Sequence, residues 1–584
     1  MPMLLSNLNL LATAPDGVAK LRELILTLAV QGKLLPQDSS DEPASVLLKK
    51  SRAEKDRLIA DGKIKRDKSL AEIAEEERPF ELPVGWEWVR LNTLLQKIGA
   101  GSTPLGGKEV YTQTGVKFLR SQNVWDDGLR LAGVAFIKPE THAKMAGTTV
   151  LPDDLLFNIT GASIGRCAVV PIDFDEANVS QHVTIVRTVL PTLNAFLHKV
   201  LVSRHVQQTV MDVQVGVSRE GLSIAKLGSF LIPLPPLAEQ SRIVTRVEEL
   251  MRLCDALQDK ARLEATQHEQ LVGTLLGTLT AASRAGAPDA SASTPGEPAD
   301  PLHAKWQRVA PHFDLLLDRP EAVDALEQTI VQLAVRGLLV PQDPQDEPAS
   351  VLLKKIRAEK DRLILEGKIK RDKPLPPIAE DEKPFELPQG WEWCQLDELV
   401  TIRGGKRVAN GYQLSSVPTD FIYVRVSDMK DGSIDDSDLR YLDAQMQSTI
   451  SRYIITKDDI YMTIVGATIG KCGLVPERFD GMNLTENAAR LTPHLLAKDY
   501  LFRLLTSEFC QSQFFGKTKQ VGVQKMALNR LAATLIPLPP LAEQSRIVAR
   551  VASLRALCAD LRQRLTTART QQALLAQALV ENSV

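Results

Sequence analysis

Cysteine is scarce in this chain. There are six in 584 residues, at positions 167, 254, 394, 472, 510 and 558, and no two form a CxxC. That spacing excludes a zinc ribbon and a thioredoxin-like redox pair. Sparse cysteine also fits a reducing cytosol. Charge of one sign is missing as well: 70 Lys and Arg stand against 72 Asp and Glu, a net of −2. A global basic signature for a nucleic-acid partner is therefore absent, and any basic surface must be local. No apolar run approaches the ~18 residues of a spanning helix. The apolar start MPMLLSNLNLLATAPDGVAK lacks the basic n-region of a signal peptide. The expectation is a cytoplasmic chain with no membrane association.

Catalytic signatures are missing too. There is no GxGxxG after a strand, no HExxH and no NPPY-type loop. GATIGKC, from Gly466 to Cys472, approaches a Walker A loop. It has three residues between its glycines where four are required, and Cys follows Lys where Ser or Thr is required, so a tight β-turn is the better reading. The eight histidines show no ligand spacing, and His182 has Asn487 at the corresponding place. No catalytic residue, no metal site and no directly bound cofactor are expected.

What is present is repetition. DEPASVLLKK at 41–50 returns at 346–355, RAEKDRLI at 52–59 returns at 357–364, and GKIKRDK at 62–68 returns at 367–373. PFELP, GWEW and a GxxIG turn (ITGASIGRC, IVGATIGKC) follow in the same order in both copies, and PLPPLAEQSRIV closes each, at 233–244 and 537–548. A period near 305 residues is far too long for a solenoid, whose repeats are about 20–50 residues. A whole module is used twice. The frame segments match well, whereas the interiors, roughly 89–232 and 394–536, share only short blocks. Ser283–Asp300, rich in Ala, Ser, Pro and Gly, reads as a flexible linker.

Leu21, Leu24, Ile25 and Leu28 mark one helical face that Gly32 can stop; Leu326, Ile330 and Leu333 repeat it before Gly337. Second helices start near Pro43 and Pro348 and run to about Gly62 and Gly367. Each interior alternates short β-rich runs with turns and reads as a mixed α/β domain. A long helix follows each dodecamer. Ile243, Val247, Leu250, Cys254 and Leu257 keep 4-3 spacing, as do Ile547, Val551, Leu554, Cys558, Leu561 and Leu565. Continued through Leu271 and Leu275, and through Leu575 and Leu579, these read as coiled-coil seams. The dodecamer is then the exit hinge from domain to helix, its prolines holding extended backbone.

Locally, 49–68 and 354–373 each carry nine Lys or Arg against four Asp or Glu. Such a segment suits either a solvated helix face or a surface for phosphates or a partner subunit. Within the first interior, Arg120, Ser121, Gln122 and Asn123 precede Trp125, and Arg, Gln and Asn are the side chains that bond bidentately to guanine and adenine edges. Arg425, Ser427 and Lys430 occupy that region of the second. Further candidates for DNA contact are Ser163 with Arg166, Thr468 with Lys471, Lys406 with Arg407, and Lys517 with Lys519. Divergence of such residues inside two equivalent frames is what two recognition tasks would produce.

GWEW opening a variable domain, GxxIG within it and PLPPLAEQSRIV leading into a long helix, all duplicated in order, resemble the specificity subunit of type I restriction-modification systems. The resemblance covers nearly the whole chain. It implies an α+β fold: two mixed α/β target recognition domains joined by two long helices in an antiparallel coiled coil, with pseudo-twofold internal duplication. The domains expected are helical regions at 1–84 and 301–389, recognition domains at 85–235 and 390–539, coiled-coil helices at 236–282 and 540–584, and the linker at 283–300. The resemblance further implies a non-catalytic DNA-reading subunit for a bipartite, asymmetric site in double-stranded DNA. Two methyltransferase subunits using S-adenosylmethionine would dock on the helices, and two restriction subunits would supply ATP- and Mg-dependent translocation and cleavage. A self-contained restriction or methylation enzyme would need a cofactor loop or metal carboxylates. A duplicated coiled-coil adaptor would bind protein only.

Overall fold

The computed structural model describes residues 8–66, 71–216, 221–280, 301–371, 374–515 and 525–582. The linker expected at 283–300 and two of the candidate lysines, Lys517 and Lys519, lie outside them. The chain divides into two compact units, one of residues 1–264 with 569–584, the other of residues 265–568.

The first unit opens with helices α1 (Leu8–Thr13), α2 (Gly17–Val30) and α3 (Ala44–Ala60). Gly32 and Gly62 end α2 and α3 in the left-handed region (φ 68° at both), the conformation glycine adopts without a Cβ penalty. At the second, Gly62 N donates to Ile59 O and Lys63 N to Leu58 O, the paired closure of a Schellman cap.

The module that follows is built on β1 (Glu87–Arg90), β2 (Leu95–Ala100), β3 (Val116–Leu119), β4 (Val124–Trp125), β5 (Gly128–Leu129), β6 (Leu155–Asn158), β7 (Cys167–Val169), β8 (Ala177–Val179), β9 (Val183–Thr188) and β10 (Leu231–Leu234), with helix α4 (Asn194–Leu201). A four-stranded antiparallel sheet runs β7-β6-β9-β2. A five-stranded sheet has β3 and β8 side by side and parallel near its middle. Strand side chains alternate between faces, and here both faces are buried. Leu155 and Phe157 of β6, with Val186 of β9, pack on Phe196, Leu197 and Val200 of α4. Leu156, Val183 and Ile185 pack the opposite way, on Leu119 and Val179. That is why LLFN and HVTIVR read as continuous apolar runs. Helix α5 (Leu237–Thr280) leaves after β10.

The second unit repeats this plan. Helices α6 (Pro320–Val335) and α7 (Ala349–Leu365) precede β11 (Glu392–Gln395), β12 (Val400–Gly404), β13 (Tyr423–Val424), β14 (Met429–Lys430), β15 (Ser433–Ile434), β16 (Ile460–Thr463), β17 (Cys472–Leu474), β18 (Asn483–Leu484), β19 (Ala488–Pro493) and β20 (Leu535–Leu538). The four-stranded sheet is β12-β19-β16-β17, and β13 pairs with β18 in parallel. Helix α8 (Leu541–Glu581) closes the chain.

The long helices depart from strict heptads. Through their first turns the expected positions are covered, by α2 in the first unit and by α6 in the second. Ile243, Val247 and Cys254 are buried and Leu250 half-buried in one cluster with Ile25, Ala29 and Val30; Leu257 is half-buried. Ile547, Val551 and Cys558, with half-buried Leu554, Leu561 and Leu565, share a cluster with Ile330, Ala334 and Val335. Farther along, Leu271 and Leu575 are exposed, and Val272, Leu276, Ala576 and Val580 are buried in their place. Val272 follows Cys254, and Ala576 follows Cys558, by about five turns at 3.6 residues per turn. The buried stripe keeps the period of a straight α-helix, where a 3.5-residue supercoil would have held Leu271 and Leu575.

Candidate nucleic-acid interface

The duplicated motifs fasten one another. β1 pairs with β10, Glu87 opposite Leu234 and Trp88 opposite Pro233, so the module's entry and exit lie side by side; β11 and β20 pair in the same register. Trp86 Nε1 donates to Glu239 Oε2 at 2.9 Å, and Trp391 Nε1 to Glu543 Oε2 at 2.9 Å. The Trp of GWEW is thus held by the Glu of PLPPLAEQ. Arg242, three residues on, bonds Asp41 with both terminal guanidinium nitrogens, and Arg546 bonds Asp346 likewise. Gln240 and Gln544 reach back to the carbonyls of Pro235 and Pro539. Burial raises the carboxyls of Glu239 and Glu543 above the ordinary Glu range, against the pull of their hydrogen bonds.

On this frame the first module presents a hairpin, β4–β5, built on a single-turn 3-10 helix at Ser121–Asn123. Asn123 is buried, and both ends of its amide are engaged: Oδ1 accepts from Arg120 N at 3.0 Å and Nδ2 donates to Arg130 O at 2.8 Å. Its role is to shape the hairpin. Asn158, at the end of β6, donates to Ser121 O at 2.9 Å and to Ser163 Oγ at 3.2 Å. This bond draws the GxxIG turn against the hairpin. Gly165 sits in that turn at φ 89°, and a Cβ there would meet the Gln207 carboxamide at 2.3 Å.

The result is a cluster that gathers most of the first module's candidates. The Trp125 ring carries the guanidinium of Arg166 at 3.6 Å and that of Arg130 at 3.7 Å, and its Nε1 donates to Gln122 O at 2.9 Å. Cation–π stacking of this kind fixes a guanidinium's plane without consuming its N–H donors. Arg130 also pairs with Asp127 at 3.1 Å, Arg120 donates to Gly133 O at 3.1 Å, and Gln122 is exposed. Arg130 was missed in the sequence. The signal was register: Trp125 lies opposite Gly128, and this brings Arg130 back alongside it.

The second module builds the same hairpin with different chemistry. Asp428 stands where Asn123 does, and its Oδ2 accepts from Arg425 N at 2.8 Å. The Arg425 guanidinium is turned onto Asp428 at 2.6 Å and onto Asp438 at 3.3 Å. Ser427 Oγ donates to Asp428 at 3.0 Å. Lys430 and Asp435, the counterparts of Trp125 and Arg130, form an ion pair at 2.5 Å. The charged ends of Arg425 and Lys430 are therefore neutralised, whereas Thr468 and Lys471 on the GxxIG turn are exposed. At the end of β12, Arg407 Nε bonds Glu486 at 2.6 Å and Lys406 lies 5.8 Å from the Tyr453 ring. Tyr423 donates to Lys406 O, and burial pushes its hydroxyl up to about 12. In the first module the matching edge is built of hydroxyl, amide and imidazole groups: Thr160 Oγ1 meets His182 Nδ1 at 2.6 Å and Thr103 bonds Gln181.

Among the described residues no group of three or more His, Cys, Asp or Glu could hold a metal ion, and no helix is long and apolar enough to cross a membrane.

Comparison with known proteins agrees with this duplicated plan. The family model described as type I restriction modification DNA specificity domain matches residues 83–267 and again 388–568. The specificity subunit of the type I restriction enzyme EcoAI of Escherichia coli is 35% identical, over 97% of this chain and 94% of its own length. That of EcoEI, also from Escherichia coli, is 34% identical over 97% and 93%. A solved structure from work on assembly and conformational transition of the type I R-M system aligns with 86% of this chain and 99% of its own, at 18% identity and a TM-score of 0.49. One frame clamped twice around two unlike hairpin surfaces, matched by that domain model in both copies and by specificity subunits almost end to end, identifies the chain as a member of the type I restriction-modification specificity-subunit family.

Proposed function

We propose that each α/β module reads one half of a bipartite, asymmetric sequence in double-stranded DNA, and that α5 and α8 set the distance between the halves. The observation that carries this reading is the paired hairpin. One backbone scaffold holds Trp125, Arg130 and Arg166 in the first module and Lys430, Asp435 and Lys471 in the second. Arg166 has no ion pair or hydrogen bond from its guanidinium among the described residues, so its donors are free for a guanine edge or a phosphate. The chain supplies no chemistry of its own in this reading. Methyltransferase subunits carrying S-adenosylmethionine and restriction subunits using ATP and Mg would act on the DNA it selects, in the cytoplasm.

Arg166→Ala tests this in the assembled complex. A good bidentate base contact contributes about 1–3 kcal/mol of discrimination, so selectivity at one half-site falls roughly 10- to 100-fold while the other half-site is unchanged. Equal loss at both halves, or none at either, sinks the assignment. Replacing 89–232 by another variable domain should change one methylated half-site only, as read by methylome sequencing.

A further inference from the structure

The segments 41–68 and 346–373 are identical at every position but three: Ser51 against Ile356, Ala60 against Leu365, and Asp61 against Glu366. The first pair is buried, at 2% and 0% exposure. The other two, Ala60/Leu365 and Asp61/Glu366, are exposed, but every exposed charge, among them Glu42, Lys49, Lys50, Arg52, Asp56 and Arg57, keeps its sign in the second copy. A solvated face makes no demand on which charge sits where, so a pattern of exposed charge kept in two copies with divergent reading modules points to something that both copies meet.

The chemistry of the face narrows what that is. Its carboxylates are largely consumed internally: Glu54 by Arg57 at 2.6 Å, Glu42 by Lys50 at 2.6 Å, Asp61 by Lys63 at 3.3 Å. Lys49, Arg52, Lys65 and Arg66 are exposed and have no ion pair or hydrogen bond among the described residues, with Asp56 the one unpaired acid beside them. In the second copy the side chains of Lys354, Lys370 and Arg371 are left in the same state, while Arg357 pairs with Glu398 at 3.4 Å. No large apolar side chain is exposed in the first strip, and only Leu365 in the second. Protein-docking surfaces are anchored by aromatic and aliphatic residues and are depleted of lysine. An unpaired cationic strip without such anchors fits a polyphosphate backbone, which is the same at every DNA sequence.

We propose that residues 41–66 and 346–371 are phosphate-binding strips that hold duplex DNA independently of its sequence, beside the bases each module reads. This rests on the reading of the chain as a DNA-recognition subunit. The test uses the assembled complex with its methyltransferase subunits and a duplex containing its methylated motif, with scrambled duplex as competitor. K49Q/R52Q/K65Q/R66Q is compared with the unaltered complex across a salt series. Each phosphate contact removed lowers the slope of log K against log salt by about 0.9, so the expected loss is between about 3 and 4, with the ratio of motif to scrambled affinity unchanged. An unchanged slope overturns the proposal. So does loss of methyltransferase subunits from the purified variant at unchanged slope, which would make the strip a docking face for an acidic protein surface. If the unaltered complex itself shows no preference for the motif, the recognition reading fails, while the slope comparison still decides the strips.

Discussion

A single histidine shows how far one buried side chain can set the conditions for a module. His198 of α4 is 7% exposed, and its Nε2 meets the carbonyl of Cys167 at 2.9 Å. Burial, with Lys199 nearby, lowers its pKa to about 4. A folded pKa below the free value of about 6.5 means the stability is fully present above pH 6.5 and is lost as pH falls towards 4. The loss amounts to about 3 kcal/mol by linkage. Denaturant melts at pH 7, 5.5 and 4.5 should show the first unit weakening in that window, and His198→Gln should flatten the dependence. The second unit has Arg503 at this place, and burial lowers the pKa of a different histidine there, His494. None of this was legible in the sequence, where a histidine in NAFLHKVL carries no sign of its burial. The tryptophan–glutamate contacts were half legible. Recurrence singled out GWEW and PLPPLAEQ, yet their pairing links residues 153 apart and needed the fold. Asn123 is a further case: residue type suggested a base reader, and the buried amide is spent on the hairpin.

At the scale of the element, the helix caps and the long helices were read well from local pattern, because capping glycines and apolar spacing are local facts. The phase of the long helices was read less well. Heptads fit the first half of each, and the error accumulates because 3.5 and 3.6 residues per turn part company only slowly. The distinction is measurable. Leu575, 57% exposed, should accept Gln within about 0.5 kcal/mol, as surface substitutions generally do. Ala576 is 1% exposed beside Leu11, Ala14, Leu24 and Leu28, so Ala576→Gln should cost about 1–3 kcal/mol by burying an unpaired amide. Thermal melts of the two variants compare them directly; equal effects would restore the heptad register.

Over the whole molecule, each long helix begins in one unit and ends in the other. Ala576 and Val580, near the end of α8, complete the core of α1 and α2. Leu276 and Leu279, near the end of α5, pack on Val309, Leu316 and Ala322 in the second unit. Neither half of the chain therefore carries its full apolar core. A chain cut between 283 and 300, with both pieces expressed together, should copurify as one particle and keep its DNA selectivity. The piece 1–282 alone should melt at lower temperature, because the cluster around Leu24 and Leu28 lacks its cover. Independent, stable halves that do not associate would contradict this.

The pairing of β1 with β10, and of β11 with β20, brings the two ends of each recognition module to one place and locks them with a tryptophan and a glutamate that do not vary between the copies. In genetic terms, each module is a cassette. Its borders are written in nearly the same amino acids twice in one gene, so a crossover at GWEW and another at PLPPLAEQSRIV would exchange a whole half-specificity and leave every border contact intact. A lineage carrying this gene can acquire a new DNA target by recombination in one step, with no intermediate whose frame is broken.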